Sequence, residues 1–182
     1  LSLAVEAEGH RVEVVLPKYD CMKYDLIDDL KEEKGFEWGG TYNHVYSGTV
    51  EGVKTFFIDP DNGMFKVGMV YGTDYLSIPM TDQERFGFFS KAALEWMLQS
   101  GRNPDIIHIH DWQTAPVAKF LAEDYAPYGL DNPKVIFTIH NLHYGQALIA
   151  DAMNNCAIAT TVSRTYAKEI AYGGGLLEFD LG

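Results

Sequence analysis

The chain has 182 residues, 47% of them hydrophobic and 22% charged, and a formal net charge of −12. Length and composition are those of a globular chain that buries a core rather than of a disordered one. The 26 acidic against 14 basic residues exclude a broad nucleic-acid or anionic-membrane surface, because phosphates are repelled, whereas a neutral or small polar ligand needs only local donors and aromatic faces.

The two cysteines, Cys21 and Cys156, have no second cysteine at metal-ligand spacing, so neither a zinc site nor a disulfide framework is expected, and a reducing compartment is. No apolar run approaches the roughly 18 residues that span a bilayer, and no signal-sequence pattern opens the chain. In the opening LSLAVEAEG, Leu1, Ala4 and Val5 fall on one helical face and Gly9 supplies the stop. An α/β chain ordinarily places a strand before such a helix, which leads to the expectation that the natural polypeptide extends upstream. VEVVLP follows, an apolar run of strand length closed by Pro17, and completes the αβ half of a βαβ unit. The charged stretch 25–34 reads as a solvated face or loop without a function. HVYSGTVEGVKTFFIDP reads as a hairpin turning at Glu51 and Gly52, expected to decorate one end of a sheet.

From 81 to 100, Phe86, Phe89, Ala93, Trp96 and Met97 recur at three- and four-residue spacing, with Thr81 as N-cap and Glu84 three positions on: a buried amphipathic helix. The strand DIIHI runs into His110 and Asp111, a helix is expected over 114–124, and PKVIFTI runs into His140 and Asn141. A helix over 146–154, the strand AIATTVS, and a helix over TYAKEIA complete the pattern. Three alternations of strand and helix predict an α/β fold with a parallel, doubly wound sheet and ligand groups at its carboxyl edge.

Three polar clusters fall at that edge: His108, His110 and Asp111; His140 and Asn141; and Ser163. For any one of them, capping a helix or satisfying loop backbone is the simpler role; three at one edge favour a ligand crevice. His108, His110 and Asp111 with His140 and His143 resemble a ligand set on paper, but a strand buried on both faces makes His108 a hydrogen-bonded core histidine, and no metal site is assigned. Ser163 lacks the G-x-S-x-G elbow of a nucleophile, and the glycines 173–175 read as a flexible turn.

The segments HRVEVVLPKYD, ERFGFFSKAALEWMLQSG, PDIIHIHDWQTAPVA, VIFTIHNL and ATTVSRTYAKEI stand in the order in which similar segments occur in starch and bacterial glycogen synthases. The match runs over nearly the whole chain, and KYDCMKYD with the short connection from His143 to Thr160 is most similar to the plant and green-algal classes numbered three and four. The resemblance implies a GT-B fold with two Rossmann-like domains. Residues 1–182 correspond to part of the N-terminal, acceptor-side domain. The family's first strand and lysine-glycine-glycine loop are expected before Leu1, and its nucleotide-sugar domain after Gly182, so these residues alone are expected to be inactive.

The resemblance further implies transfer of glucose from ADP-glucose to the non-reducing end of an α-1,4-glucan, with retention of configuration and with neither metal nor other cofactor. Carried onto matching positions, His110 of HIHDW contacts the donor glucose and Asp111 fixes that loop, as the catalytic residues. Tyr71 in VYG, His140 and Asn141 line the same cleft as substrate-binding residues. Tyr144-Gly145-Gln146 stands where the family more often has Tyr-Gln-Gly, and Arg164 where Pro is common. A plastid location follows from the resemblance alone; no nucleic-acid or membrane partner is implied, and the sequence carries no signal of an oligomeric state. Two alternatives stand beside this reading: a GT-B glycosyltransferase using another nucleotide sugar, and a non-catalytic glucan-binding or scaffold protein.

Overall fold

A computed structural model describes residues 1–73 and 80–172. The chain divides into two compact units, Leu1–Gln99 and the residues from Ser100 onward. The glycines at 173–175 lie outside the described residues.

In the first unit, helix α1 (Ser2–Ala7) leads through Gly9, at φ +90°, into strand β1 (Glu13–Pro17). Strands β2 (Asp28–Trp38), β3 (Thr41–Val50) and β4 (Val53–Pro60) form a four-stranded sheet with it in the order β1-β4-β3-β2. The Glu51-Gly52 turn has φ of 50° and 87°, the left-handed pair whose twist suits a two-residue hairpin. Its role differs from that expected: β4 pairs in parallel with β1, Glu13 to Lys54 through Pro17 to Ile58, so the hairpin builds the sheet rather than decorating it. The reason lies in β4, whose Phe56, Phe57 and Ile58 are all buried and demand neighbours on both sides.

The charged stretch 25–34 also departs from expectation. A short 3-10 turn (Tyr24–Leu26) leads into β2, which pairs with β3 as the edge strand, with register shifts between Asp28 and Lys31 and between Glu33 and Phe36. Exposed Asp28, Asp29, Lys31, Glu32 and Lys34 solvate that edge, and charge with bulges keeps other strands from pairing there.

Helix α2 (Asp82–Gln99) closes the unit. Its start is a reciprocal capping box: the Glu84 backbone N–H donates to Thr81 Oγ1 at 3.2 Å and the Thr81 N–H donates to Glu84 Oε2 at 2.7 Å. Phe86, Phe89, Ala93 and Trp96 are buried as the spacing predicts, and the Trp96 ring lies 4.8 Å from Phe56 of β4. The same face also buries Asp82 and Arg85, two charges that the apolar pattern does not announce.

The second unit is a three-stranded parallel sheet in sequence order: β5 (Ile106–His110), β6 (Lys134–Ile139) and β7 (Ile158–Thr161). The β5–β6 crossover is helical from its first residue: α3 (Asp111–Thr114), α4 (Pro116–Phe120), a π turn (Leu121–Tyr125) and a 3-10 turn (Ala126–Tyr128). Helix therefore starts three residues earlier than the expected Thr114, because Asp111 itself turns the chain. Helix α5 (Gln146–Asn155) crosses from β6 to β7, and α6 (Arg164–Tyr172) follows β7. Ile107, Ile109, Val135, Phe137 and Ile139 of the sheet and Ala115, Ala118, Ile149 and Ala152 of the crossovers are all buried. With all three strands parallel, their carboxyl ends fall on one edge, where loops open toward ligand.

Candidate active site

Strand alternation puts His108 and His110 on one face of β5, and their rings stack with centroids 4.4 Å apart and planes 23° from parallel. His108 is hydrogen-bonded as expected but only half-buried, because β5 buries one face and not both: its Nε2 shares a 2.7 Å hydrogen bond with Thr138 Oγ1 on β6, which shares another of 2.7 Å with Thr160 Oγ1 on β7. A polar ladder thus crosses all three strands beneath the carboxyl edge. It holds the His108 ring in place, and that ring supports the ring of His110.

His110 is the last residue of β5. Its Nδ1 lies 3.1 Å from His140 Nε2, so one of the two imidazoles donates to the other. Burial pushes the His110 imidazole down to about 4, and the neighbouring His108 and His140 rings push in the same direction. Burial likewise lowers His108, with His140 adding to it. His110 is therefore neutral at physiological pH and can donate through one ring nitrogen and accept through the other. Thr114 braces it from behind: the Thr114 Oγ1 accepts from the His110 N–H and donates to the His110 carbonyl, each at 2.7 Å.

Asp111 turns the chain at φ 53°, a left-handed conformation that a non-glycine residue holds only where its surroundings enforce it. The reason is visible in its carboxylate. Oδ1 accepts from the backbone N–H of His140 at 2.6 Å and of Asn141 at 3.0 Å, tying the exit of β5 to the exit of β6. His140 and Asn141 are exposed at that edge. The Asn141 side chain accepts from the His143 N–H at 2.9 Å, an Asx turn that shapes the loop, and the Leu142 N–H donates to the Tyr166 hydroxyl of α6 at 3.0 Å.

The same loop accounts for the order Tyr144-Gly145-Gln146. Gly145 starts α5 at φ 65°, and a Cβ there would lie 2.3 Å from the Trp112 Cβ. Only glycine fits, and Tyr144 is left 65% exposed beside it. Ser163 is a helix cap, its Oγ accepting from the Tyr166 N–H at 3.1 Å.

The structure thus gathers four of the five residues singled out by sequence, His110, Asp111, His140 and Asn141, on one edge. Tyr71 belongs to the first unit, where its side chain is 65% exposed. Sequence reasoning missed the supports: Thr114, Thr138, Thr160, Trp112, Gly145 and Tyr166. Thr138 had one available signal, since it stands two residues before His140; Thr160 joins it only through the register of β6 and β7. Among the described residues no group of three or more His, Cys, Asp or Glu side chains is arranged to hold a metal ion, and no helix is long and apolar enough to cross a membrane.

Parallel strands ending in His, Asp and Asn beside helix starts define a Rossmann-like ligand-binding unit. Comparison with known proteins makes this specific. The starch synthase catalytic domain family matches residues 1–158. Soluble starch synthase 3 of Solanum tuberosum, a chloroplastic/amyloplastic protein, is 49% identical over 171 residues, which are 94% of this chain and 13% of the potato protein. Glycogen synthase 2 of Methylococcus capsulatus is 45% identical over 151 residues, 79% of this chain and 30% of that protein. The solved catalytic domain of starch synthase IV from Arabidopsis thaliana, bound to ADP and acarbose, superposes with a TM-score of 0.86 at 37% identity, over 94% of this chain and 42% of that one. The chain belongs to the starch synthase catalytic domain family and has the α/β, GT-B-type fold of that solved domain, while spanning less than half the length of each of these relatives.

Proposed function

We propose that this chain forms one face of the active site of a plastid glucosyltransferase that moves glucose from ADP-glucose to the non-reducing 4-OH of an α-1,4-glucan. The observation that carries the reading is the Asp111 carboxylate joining the exits of β5 and β6, so that His110 and His140 meet at 3.1 Å, in a chain of this family. Plastid location rests on the chloroplastic/amyloplastic relatives.

In the reaction the bond from the anomeric carbon to the departing phosphate oxygen breaks, a bond to the glucan 4-oxygen forms, and the 4-OH proton leaves with the ADP. The transition state places positive charge on the sugar ring and negative charge on the leaving phosphate. Neutral His110 suits a hydroxyl of the transferred glucose, because an imidazole donates and accepts without placing a second cation beside an oxocarbenium-like ring. His140 orients His110 through their shared hydrogen bond, and Asn141 faces the same edge. Asp111 acts through the backbone it holds. Tyr71 offers an aromatic face to sugar. No metal or other cofactor enters, and the outcome is retention at the anomeric carbon.

The test is incorporation of labelled glucose from ADP-glucose into a glycogen primer by the full-length protein, with His110→Ala beside it. Loss of a transition-state hydrogen bond lowers kcat by about 10² to 10³. Transfer from ADP-glucose that falls by that factor supports the reading. Transfer only from another nucleotide sugar replaces the donor, and no transfer by the folded protein replaces the enzyme with a glucan-binding protein.

A further inference from the structure

Helix α2 buries two charges one turn apart, and no step of the proposed reaction uses either. Arg85 is fully buried and Asp82 is 6% exposed, with Arg85 Nη1 3.1 Å from Asp82 Oδ1. A buried ion pair is a poor stabiliser, since its desolvation cost is commonly as large as its attraction and a well-packed apolar pair does as well. Its remaining hydrogen bonds therefore point to what it does.

The Arg85 guanidinium donates to three backbone carbonyls: from Nε to Met64 at 2.6 Å, from Nη1 to Val70 at 3.2 Å and from Nη2 to Met69 at 3.5 Å. Asp82 accepts from the next residues of the same segment: from the Gly72 N–H at 2.5 Å on Oδ2, and from the Thr73 N–H at 3.1 Å and the Thr73 hydroxyl at 2.6 Å on Oδ1. Burial alone would raise the Asp82 carboxyl, but the hydrogen bonds from Thr73, Gly72 and Arg85 outweigh it and hold it below its usual value. Carbonyls before position 71 are thus gripped by a cation and N–H groups after it by an anion. Gly72 sits at φ 94°, which removes a Cβ where the chain turns between the two grips. Between them stands Tyr71, 65% exposed.

An apolar pair could fill the same volume but could not bond carbonyls on one side of a residue and N–H groups on the other. We propose that Asp82 and Arg85 are positioning residues that clamp the backbone on both sides of Tyr71 and present its ring, already ordered, to the sugar substrate. The proposal rests on the reading of Tyr71 as a sugar-facing residue. Its chemical sense is preorganisation: a ring on a fixed backbone loses less freedom on binding than one on a loose loop.

The test is steady-state kinetics of the full-length protein with ADP-glucose and maltoheptaose varied in turn, for Tyr71→Ala, Thr73→Val, Tyr71→Ala/Thr73→Val and Arg85→Lys. Thr73→Val keeps shape and volume while deleting one of the three hydrogen bonds that Gly72 and Thr73 give Asp82, so it is the variant expected to fold. Arg85→Lys keeps the charge but not the fork. Tyr71→Ala is expected to raise one KM about tenfold. Thr73→Val and Arg85→Lys are expected to raise that same KM several-fold with kcat nearly unchanged, and Thr73→Val to add nothing once Tyr71 is alanine. A Tyr71→Ala protein with unaltered kinetics refutes the sugar-facing role of Tyr71 and the clamp with it. An effect of Tyr71→Ala that Thr73→Val fails to share, or to which it adds in full, refutes the clamp and leaves Tyr71 in place.

Discussion

Asp111 offers a clean separation of shape from charge. Its Oδ1 receives two backbone N–H groups, from His140 and Asn141, and its own backbone holds a left-handed conformation. Asparagine keeps an oxygen able to accept both bonds and tolerates the left-handed region, so Asp111→Asn loses only the charge assistance, about 1 kcal/mol. Alanine loses both bonds and adds about 1 kcal/mol of backbone strain. Because water reaches this exposed edge and replaces part of what is lost, about 2 to 3 kcal/mol in all is expected. The assay is amide hydrogen exchange at His140 and Asn141 in the full-length protein. Protection should fall about fivefold in the asparagine variant and by 30-fold or more in the alanine variant, with residues of β3 and β4 unchanged. Equal losses for the two variants would mean that the charge rather than the geometry holds the loop; no loss in either would refute the joint between the two strand exits.

Two further outcomes follow from the same edge. His110, held near 4 in the fold against about 6.5 when unfolded, is neutral in the native state, so the unfolded chain binds the extra proton between those values. Its contribution to stability is whole above about pH 6.5, falls as pH drops toward 4, and changes no further below; an NMR titration should find the His110 ring still neutral at about pH 5.5, and a ring that titrates near 6.5 would contradict its burial. Gly145→Ala combines a φ of 65° with a Cβ 2.3 Å from that of Trp112, and should lower stability by about 2 kcal/mol or more in denaturant unfolding; an unperturbed midpoint would mean that the Trp112 contact yields freely.

The expected strands and helices of the second unit are all present because their signals are local: apolar runs of strand length and helical spacing. The capping box at Thr81 and Glu84 and the left-handed turn at Glu51-Gly52 were legible for the same reason. Residues two apart on a strand share a face, which already paired His108 with His110, and strand ends marked His140 and Asn141 as edge residues.

Pairing between segments far apart in sequence has no such local signal. That β4 lies beside β1, which makes the hairpin part of the sheet, depends on which buried face finds a partner. The charged stretch 25–34 reads as solvated, and is solvated, yet becomes the edge strand β2 because β3 offers it backbone hydrogen bonds. Likewise the threonines become supports only once the strands pair and bring the Thr138 hydroxyl to the His108 ring. Asp82 and Arg85 lie outside the apolar spacing of their helix, and they are buried because a backbone segment some ten to twenty residues earlier supplies complementary carbonyls and N–H groups. Most elements and turns, and the polar residues at strand ends, were legible in the chain because the forces that set them act within a few residues. Which of those residues meet was settled on folding, because hydrogen bonds and burial between distant segments depend on where the chain folds back.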